Sequence, residues 1–163
     1  KEAGLLVLIN QHIARSHGVF PLGEDFNVRT APRDQQALLQ LAEERLPMER
    51  MPRLVGVGDT VTSTQAADGH SWLRGGSDRG FLTLLKDLGA CSNQPNRVIL
   101  VDSSHGEVDR PSLADGRLLG ISDPEDPLEL DVLMPGGPAD YISWFQTLAQ
   151  RRRAGGHAIP ETA

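Results

Sequence analysis

The chain has 163 residues, enough for one domain of ordinary size or most of one, and 39% are hydrophobic, so it can bury a core and is not disordered by composition. Sixteen Lys and Arg against 22 Asp and Glu leave a formal charge of −6, which argues against a nucleic-acid partner. Cys91 is the single cysteine, which excludes a disulfide framework or a multi-cysteine zinc site within one chain.

From Lys1 to about Ser16, Leu5, Leu6, Leu8, Ile9 and Ile13 recur at helical spacing and predict an amphipathic helix closed by Gly18 and Pro21. Its longest apolar run, Leu5 to Ile9, is far too short to span a membrane, and no secretory pattern accompanies it. A cytoplasmic protein with no membrane partner is the expectation. The chain opens on Lys1 and not on Met, directly in a helical pattern, and the expectation is that either processing removed a leader or it is the C-terminal part of something longer. A second helix is predicted from Pro32 to about Leu46 through Ala37, Leu38, Leu41, Ala42 and Leu46, with Pro47 and Pro52 closing it.

Arg53 to Asp59 is a short apolar run that ends in glycine and an acid, the pattern of a buried parallel strand meeting a loop. Thr60 to Gly76 is rich in Gly, Ser and Thr and reads as a loop or small hairpin. Ser77 is placed to cap a helix from Asp78 to about Leu88, with Phe81, Leu82, Leu84, Leu85 and Leu88 as its buried stripe. Val98 to Val101 predicts a second strand ending at Asp102, His105 to Asp126 carries no periodicity, and Leu128 to Met134 predicts a third strand turned by Pro135–Gly137. The last helix begins near Pro138 and ends in Arg151, Arg152 and Arg153, a basic end that complements the helix macrodipole. Residues 155–163 read as a flexible tail and residues 1–154 as one piece of a domain. The order is that of an open α/β layer, a mostly parallel, Rossmann-like sheet flanked by helices. Three strands make a thin sheet, so a further strand is expected outside this chain.

Open α/β sheets gather their sites at the carboxyl ends of strands, which singles out Asp59 and Asp102. Gly56 and Gly58 leave the backbone beside Asp59 open to close approach. A carboxylate there suits a hard metal ion, or it caps the next segment. The run Arg74, Gly75, Gly76, Ser77, Asp78, Arg79 offers backbone N–H groups to an anion at a helix start, or is a plain helix cap. His12, His17, His70, His105 and His157 are scattered without metal-ligand spacing. No Gly-x-Ser-x-Gly elbow surrounds Ser77 or Ser103, Cys91 has no evident activating base, and Gly56-x-Gly58 lacks the third glycine of a dinucleotide fingerprint.

Three strings carry a resemblance: Lys1-Glu-Ala-Gly with Leu5-Leu6; Val55-Gly-Val-Gly-Asp59-Thr-Val-Thr-Ser63; and Gly75-Gly-Ser-Asp78-Arg-Gly-Phe81-Leu82. Pro21–Glu24, Val101–Ser104 with Gly106–Val108, Pro135–Gly137 and Ala149–Arg153 extend it over nearly the whole chain. Together they resemble the haloacid-dehalogenase-like (HAD) phosphatases, and within these the glucosylglycerol-3-phosphate phosphatases of osmolyte synthesis in salt-stressed cyanobacteria. The resemblance implies phosphoryl transfer through an aspartyl-phosphate, with Mg²⁺ as cofactor and a small sugar phosphate as substrate. By position, Lys1 matches the charge-neutralising lysine, Asp59 the magnesium acid, and Asp78 a second acid of that loop. The candidate catalytic residues are thus Lys1 and Asp78, the candidate metal ligand is Asp59, and Arg74, Gly75, Gly76 and Ser77 are candidate substrate contacts. Two departures stand out. Thr60 to Ser77 is inserted between the two acids, and no Asp-x-Asp of the nucleophile motif occurs anywhere in the chain. The first strand with the nucleophile, and the cap, are therefore expected in an N-terminal part of the same protein, and this chain alone is not expected to turn over substrate. A non-catalytic α/β ligand-binding or regulatory domain is the alternative.

Overall fold

The computed structural model describes residues 1–106, 110–114 and 117–155. In chain order it contains α1 (Glu2–His17), α2 (Gln35–Arg45), a 3₁₀ turn (Met48–Arg50), β1 (Val55–Gly58), β2 (Thr62–Gln65), β3 (Trp72–Gly75), α3 (Arg79–Ser92), β4 (Arg97–Val101), β5 (Val132–Met134) and α4 (Pro138–Arg153). This is a mixed α/β fold with a parallel three-stranded sheet of order β1-β4-β5, consistent with a Rossmann-like core. β4 pairs with β5 with Ile99 opposite Val132 and Val101 opposite Met134. Two compact units make up the chain: residues 1–56 with 80–97, and residues 57–79 with 98–163.

The first unit is built on three helices. Leu6, Ile9 and Ile13 of α1, Leu38 and Ala42 of α2, and Leu84 and Leu88 of α3 form one buried cluster, closed by Leu46 and Met51. Gly18 ends α1 in the left-handed conformation (φ 73°) and donates its N–H to the Ala14 carbonyl at 2.8 Å, as a helix terminus requires. Asp34, and not Pro32, sets the start of α2: its carboxylate accepts from the Ala37 N–H at 2.9 Å. Two buried asparagines substitute for missing secondary structure. Asn10 accepts from the Leu22 N–H and donates to the Gly23 carbonyl, each at 2.9 Å, which fixes the chain after α1. Asn96 accepts from the Leu54 N–H at 2.8 Å and donates to the Leu85 carbonyl at 2.9 Å. At Gly56 an added Cβ would come within 2.9 Å of Leu85 Cδ1 and 3.0 Å of Leu82 Cδ2, so a side chain there would force these leucines of α3 to shift.

In the second unit, Trp144, Phe145 and Leu148 of α4 pack on Val57, Ile99, Val101, Val132 and Met134. The polar stretch after Asp59 is an antiparallel hairpin in which Thr62 pairs with Gly75 and Gln65 with Trp72. Its tip is tied by Asp68, which accepts from the backbone N–H groups of His70 and Ser71 at 2.9 Å. α3 starts at Arg79, so Asp78 and not Ser77 immediately precedes it, and it runs on to Ser92. β5 is shorter than its pattern, and just before it Asp131 exchanges two bonds with Val98, its carboxylate taking the Val98 N–H at 2.6 Å and its N–H donating to the Val98 carbonyl at 2.9 Å. The predicted tail lies outside the described residues beyond Gly155, as do His157 and the motif residues Glu107 and Val108.

Candidate functional site

β1 delivers Asp59 to the carboxyl end of the sheet, and four other residues fix the loop there. Asp78 is buried, and its Oδ2 accepts from the backbone N–H groups of both Asp59 and Thr60 at 2.9 Å. The Asp78 N–H returns a bond to the Thr60 carbonyl at 3.0 Å. The inserted segment is therefore a hairpin whose two ends meet, which brings the two acids together despite 19 residues of separation. Thr60 Oγ1 donates to Asp59 Oδ1 at 2.8 Å, and Ser103 Oγ donates to the Asp59 carbonyl at 2.8 Å. Arg110 Nη1 donates to Asp59 Oδ2 at 3.0 Å and to Ser103 Oγ at 2.9 Å. With its backbone held on both sides, the Asp59 side chain remains 48% exposed.

Asp102 does different work from Asp59, although both end strands. It is 2% exposed, and it accepts from the Ser104 N–H at 2.7 Å, the Leu113 N–H at 2.6 Å and Ser112 Oγ at 3.1 Å. Burial pushes its carboxyl up, but the hydrogen bonds from Ser104, Leu113 and Ser112 outweigh burial and bring it down to about 2. Asp102 thereby closes the loop that carries Arg110. A cleft of about 250 Å³ opens beside Asp59, lined by Val57, Gly58, Val101, Pro138 and Tyr141.

The other predicted residues fall as follows. Arg74 donates from Nε and Nη2 to the two oxygens of buried Asp123 at 2.9 and 2.6 Å, and from Nη2 to Glu125 at 3.2 Å. Ser63 Oγ also donates to Asp123, and the Ser63 N–H donates to the Gly120 carbonyl at 2.7 Å. The Arg74 side chain holds the Asp123 carboxyl well below its usual range, with Ser63 adding to the effect. Its Nε and Nη2 thus anchor the hairpin. Gly75 is the last residue of β3. Gly76 has φ 94°, and a Cβ there would run into the Thr60 carbonyl and reach 2.7 Å from Val61 Cα, so its backbone is packed against the turn after Asp59. Lys1 Nζ lies 6.0 Å from the Phe81 ring centroid in the first unit. Cys91 donates to Glu43 at 3.0 Å, a contact that, with burial, pushes the thiol up and away from reactivity.

Among the described residues, no group of three or more His, Cys, Asp or Glu stands together as a metal cage. Magnesium does not require one, since it keeps several waters and takes one or two carboxylates along with substrate phosphate. The exposed, positioned carboxylate of Asp59 fits that role as a single oxygen donor, whereas Asp78 Oδ2 is spent on backbone N–H groups. Sequence reasoning missed Arg110 altogether, because it lies in a stretch without periodicity. Thr60 and Ser103 sat inside the quoted motifs, next to Asp59 and Asp102, but their hydroxyls were given no role.

Fold and loop define an α/β chain with a rigid acidic turn at the carboxyl end of a parallel strand. The family profile described as glucosylglycerol-phosphate phosphatase matches residues 1–149. This chain belongs to the glucosylglycerol-phosphate phosphatase family. The glucosylglycerol-phosphate phosphatase of Synechocystis sp. is 43% identical over 164 residues, an alignment that covers 94% of this chain and 39% of that protein. The chain thus spans about two fifths of the length of that relative. No solved structure matches the chain.

Proposed function

We propose that the protein carrying this chain is a Mg²⁺-dependent HAD-type phosphatase that hydrolyses glucosylglycerol 3-phosphate to the free osmolyte. The observation that carries this reading is the family match over residues 1–149, joined to the fixed but exposed Asp59 within the matched region. Phosphoryl transfer asks a protein chiefly for positioning and charge neutralisation. Asp59 would hold the cation through its carboxylate, and Asp78, Thr60 and Ser103 would keep that carboxylate in place. Bound Mg²⁺ would neutralise charge on the phosphoryl oxygens. Lys1 would supply a second positive charge to the phosphate. The attacking carboxylate would come from a segment beyond this chain, since no Asp-x-Asp occurs in it. Among the described residues no helix is long and apolar enough to cross a membrane, and a cytoplasmic location goes with the proposed substrate.

The test is phosphate release from glucosylglycerol 3-phosphate by the full-length protein. The reading expects release with Mg²⁺, loss in EDTA, and recovery when Mg²⁺ is restored. Binding without release would favour a non-catalytic domain, and undiminished activity in EDTA would overturn the metal assignment.

A further inference from the structure

Arg110 is the one strong cation within hydrogen-bond distance of the Asp59 carboxylate among the described residues. Both of its contacts, to Asp59 Oδ2 at 3.0 Å and to Ser103 Oγ at 2.9 Å, are made by Nη1. A guanidinium has five N–H groups, and Nη1 carries two of them, so these two bonds use Nη1 fully. The N–H groups of Nε and Nη2 make no hydrogen bond to a described residue. They form the side edge of the guanidinium plane, where two parallel N–H vectors match two oxygens of a carboxylate or phosphate.

The position of this edge is set in advance. The Arg110 side chain is only 26% exposed, and the segment bearing it is pinned by Asp102, which takes the Leu113 N–H, Ser112 Oγ and Ser104 N–H. Ser103 uses its proton on the Asp59 carbonyl and so can only accept from Arg110. Nη1 is therefore tied to the acid, and the Nε–Nη2 edge is left for another partner. An ion pair formed only for stability would be as well served by a point charge. What the planar group adds is a second edge beside the acid.

We propose that Arg110 is a phosphate-binding residue, holding Asp59 through Nη1 and a phosphate through Nε and Nη2. This deepens the functional reading above and rests on it for the identity of the anion. The phosphate of the substrate monoester and the inorganic phosphate product share the chemistry recognised.

The test is calorimetric binding of inorganic phosphate to the full-length protein with Mg²⁺ present, alongside KM and kcat for glucosylglycerol 3-phosphate. Arg110→Ala is expected to weaken phosphate binding at least tenfold and to raise KM more than it lowers kcat. Arg110→Lys keeps a cation for Asp59 but has no second edge, so it is expected to fold like the wild type and still lose about fivefold or more in phosphate affinity. Wild-type phosphate affinity in Arg110→Lys would overturn the proposal, and so would a folded Arg110→Ala protein that lost stability alone. If the wild type hydrolyses the ester while Arg110→Lys binds phosphate normally, only the Arg110 assignment fails. If Arg110 governs phosphate binding in a protein that releases no phosphate from the ester, the anion site stands and the functional reading falls.

Discussion

The carboxylate of Asp78 binds the backbone, not the side chain, of Asp59: its Oδ2 lies 2.9 Å from the Asp59 amide nitrogen and equally far from that of Thr60. A buried charge satisfied by two N–H groups and placed under a turn is a support for that turn. Each such charge-assisted bond contributes about 1.5–3 kcal/mol, and its loss leaves an N–H stranded. Asp78→Ala is therefore expected to destabilise the protein by about 3 kcal/mol or more in denaturant titration. Its residual activity should also need more Mg²⁺, because the Asp59 turn loses its support. Asp78→Asn keeps an acceptor oxygen and should lose less of both.

Arg74 and Asp123 form the corresponding anchor of the hairpin. Because the Nε–Nη2 edge of Arg74 is taken by Asp123 and Glu125, Arg74→Ala is expected to leave KM for the phosphate ester within about twofold. It should instead increase cleavage by added protease at the hairpin tip, residues 66–71. A large rise in KM with unchanged protease resistance would show that Arg74 contacts substrate.

Gly76 should tolerate no side chain. Its φ of 94° disfavours L residues, and a Cβ would collide with Thr60. Gly76→Ala is expected to cost about 2–3 kcal/mol, measured as a lower denaturant midpoint. A neutral substitution would mean that the turn after Asp59 is loosely packed.

Asp102 gives the acid response a specific origin. Its folded carboxyl is depressed from the ordinary 3.8 to about 2, so its ionised form stabilises the fold above pH 3.8, and that contribution is lost as pH falls through 2. Part of the acid destabilisation between about pH 4 and pH 2 should therefore be absent in Asp102→Asn, which should be less stable than the wild type at neutral pH and converge with it near pH 2. Parallel stability curves for the two proteins over that range would contradict the assignment.

Strands ending in acids, and the helices carrying Leu6, Ile9 and Ile13 or Leu82, Leu85 and Leu88, were legible because burial imposes a period on sequence. The fold class follows from that. The start of α2 falls three residues after the expected Pro32, at Gln35, because the side chain of Asp34 makes the cap. The split between Asp59 and Asp102 was not legible at all. Both follow apolar strands, and only the three donors from Ser104, Ser112 and Leu113 show that one acid is structural. Arg110 was invisible for a related reason: its partners lie 51 and 7 residues away, in a segment whose conformation is set by Asp102 and not by local propensity.

The Asp59 carboxylate is the group proposed to hold the catalytic cation. The most direct measurement is kcat for glucosylglycerol 3-phosphate in the full-length Asp59→Asn protein under saturating Mg²⁺, with thermal unfolding recorded on the same sample. An exposed side chain that can still accept from Thr60 as an amide should cost little stability. The account predicts a near-native unfolding midpoint with kcat reduced about a thousandfold or more. An Asp59→Asn protein of wild-type kcat would contradict it.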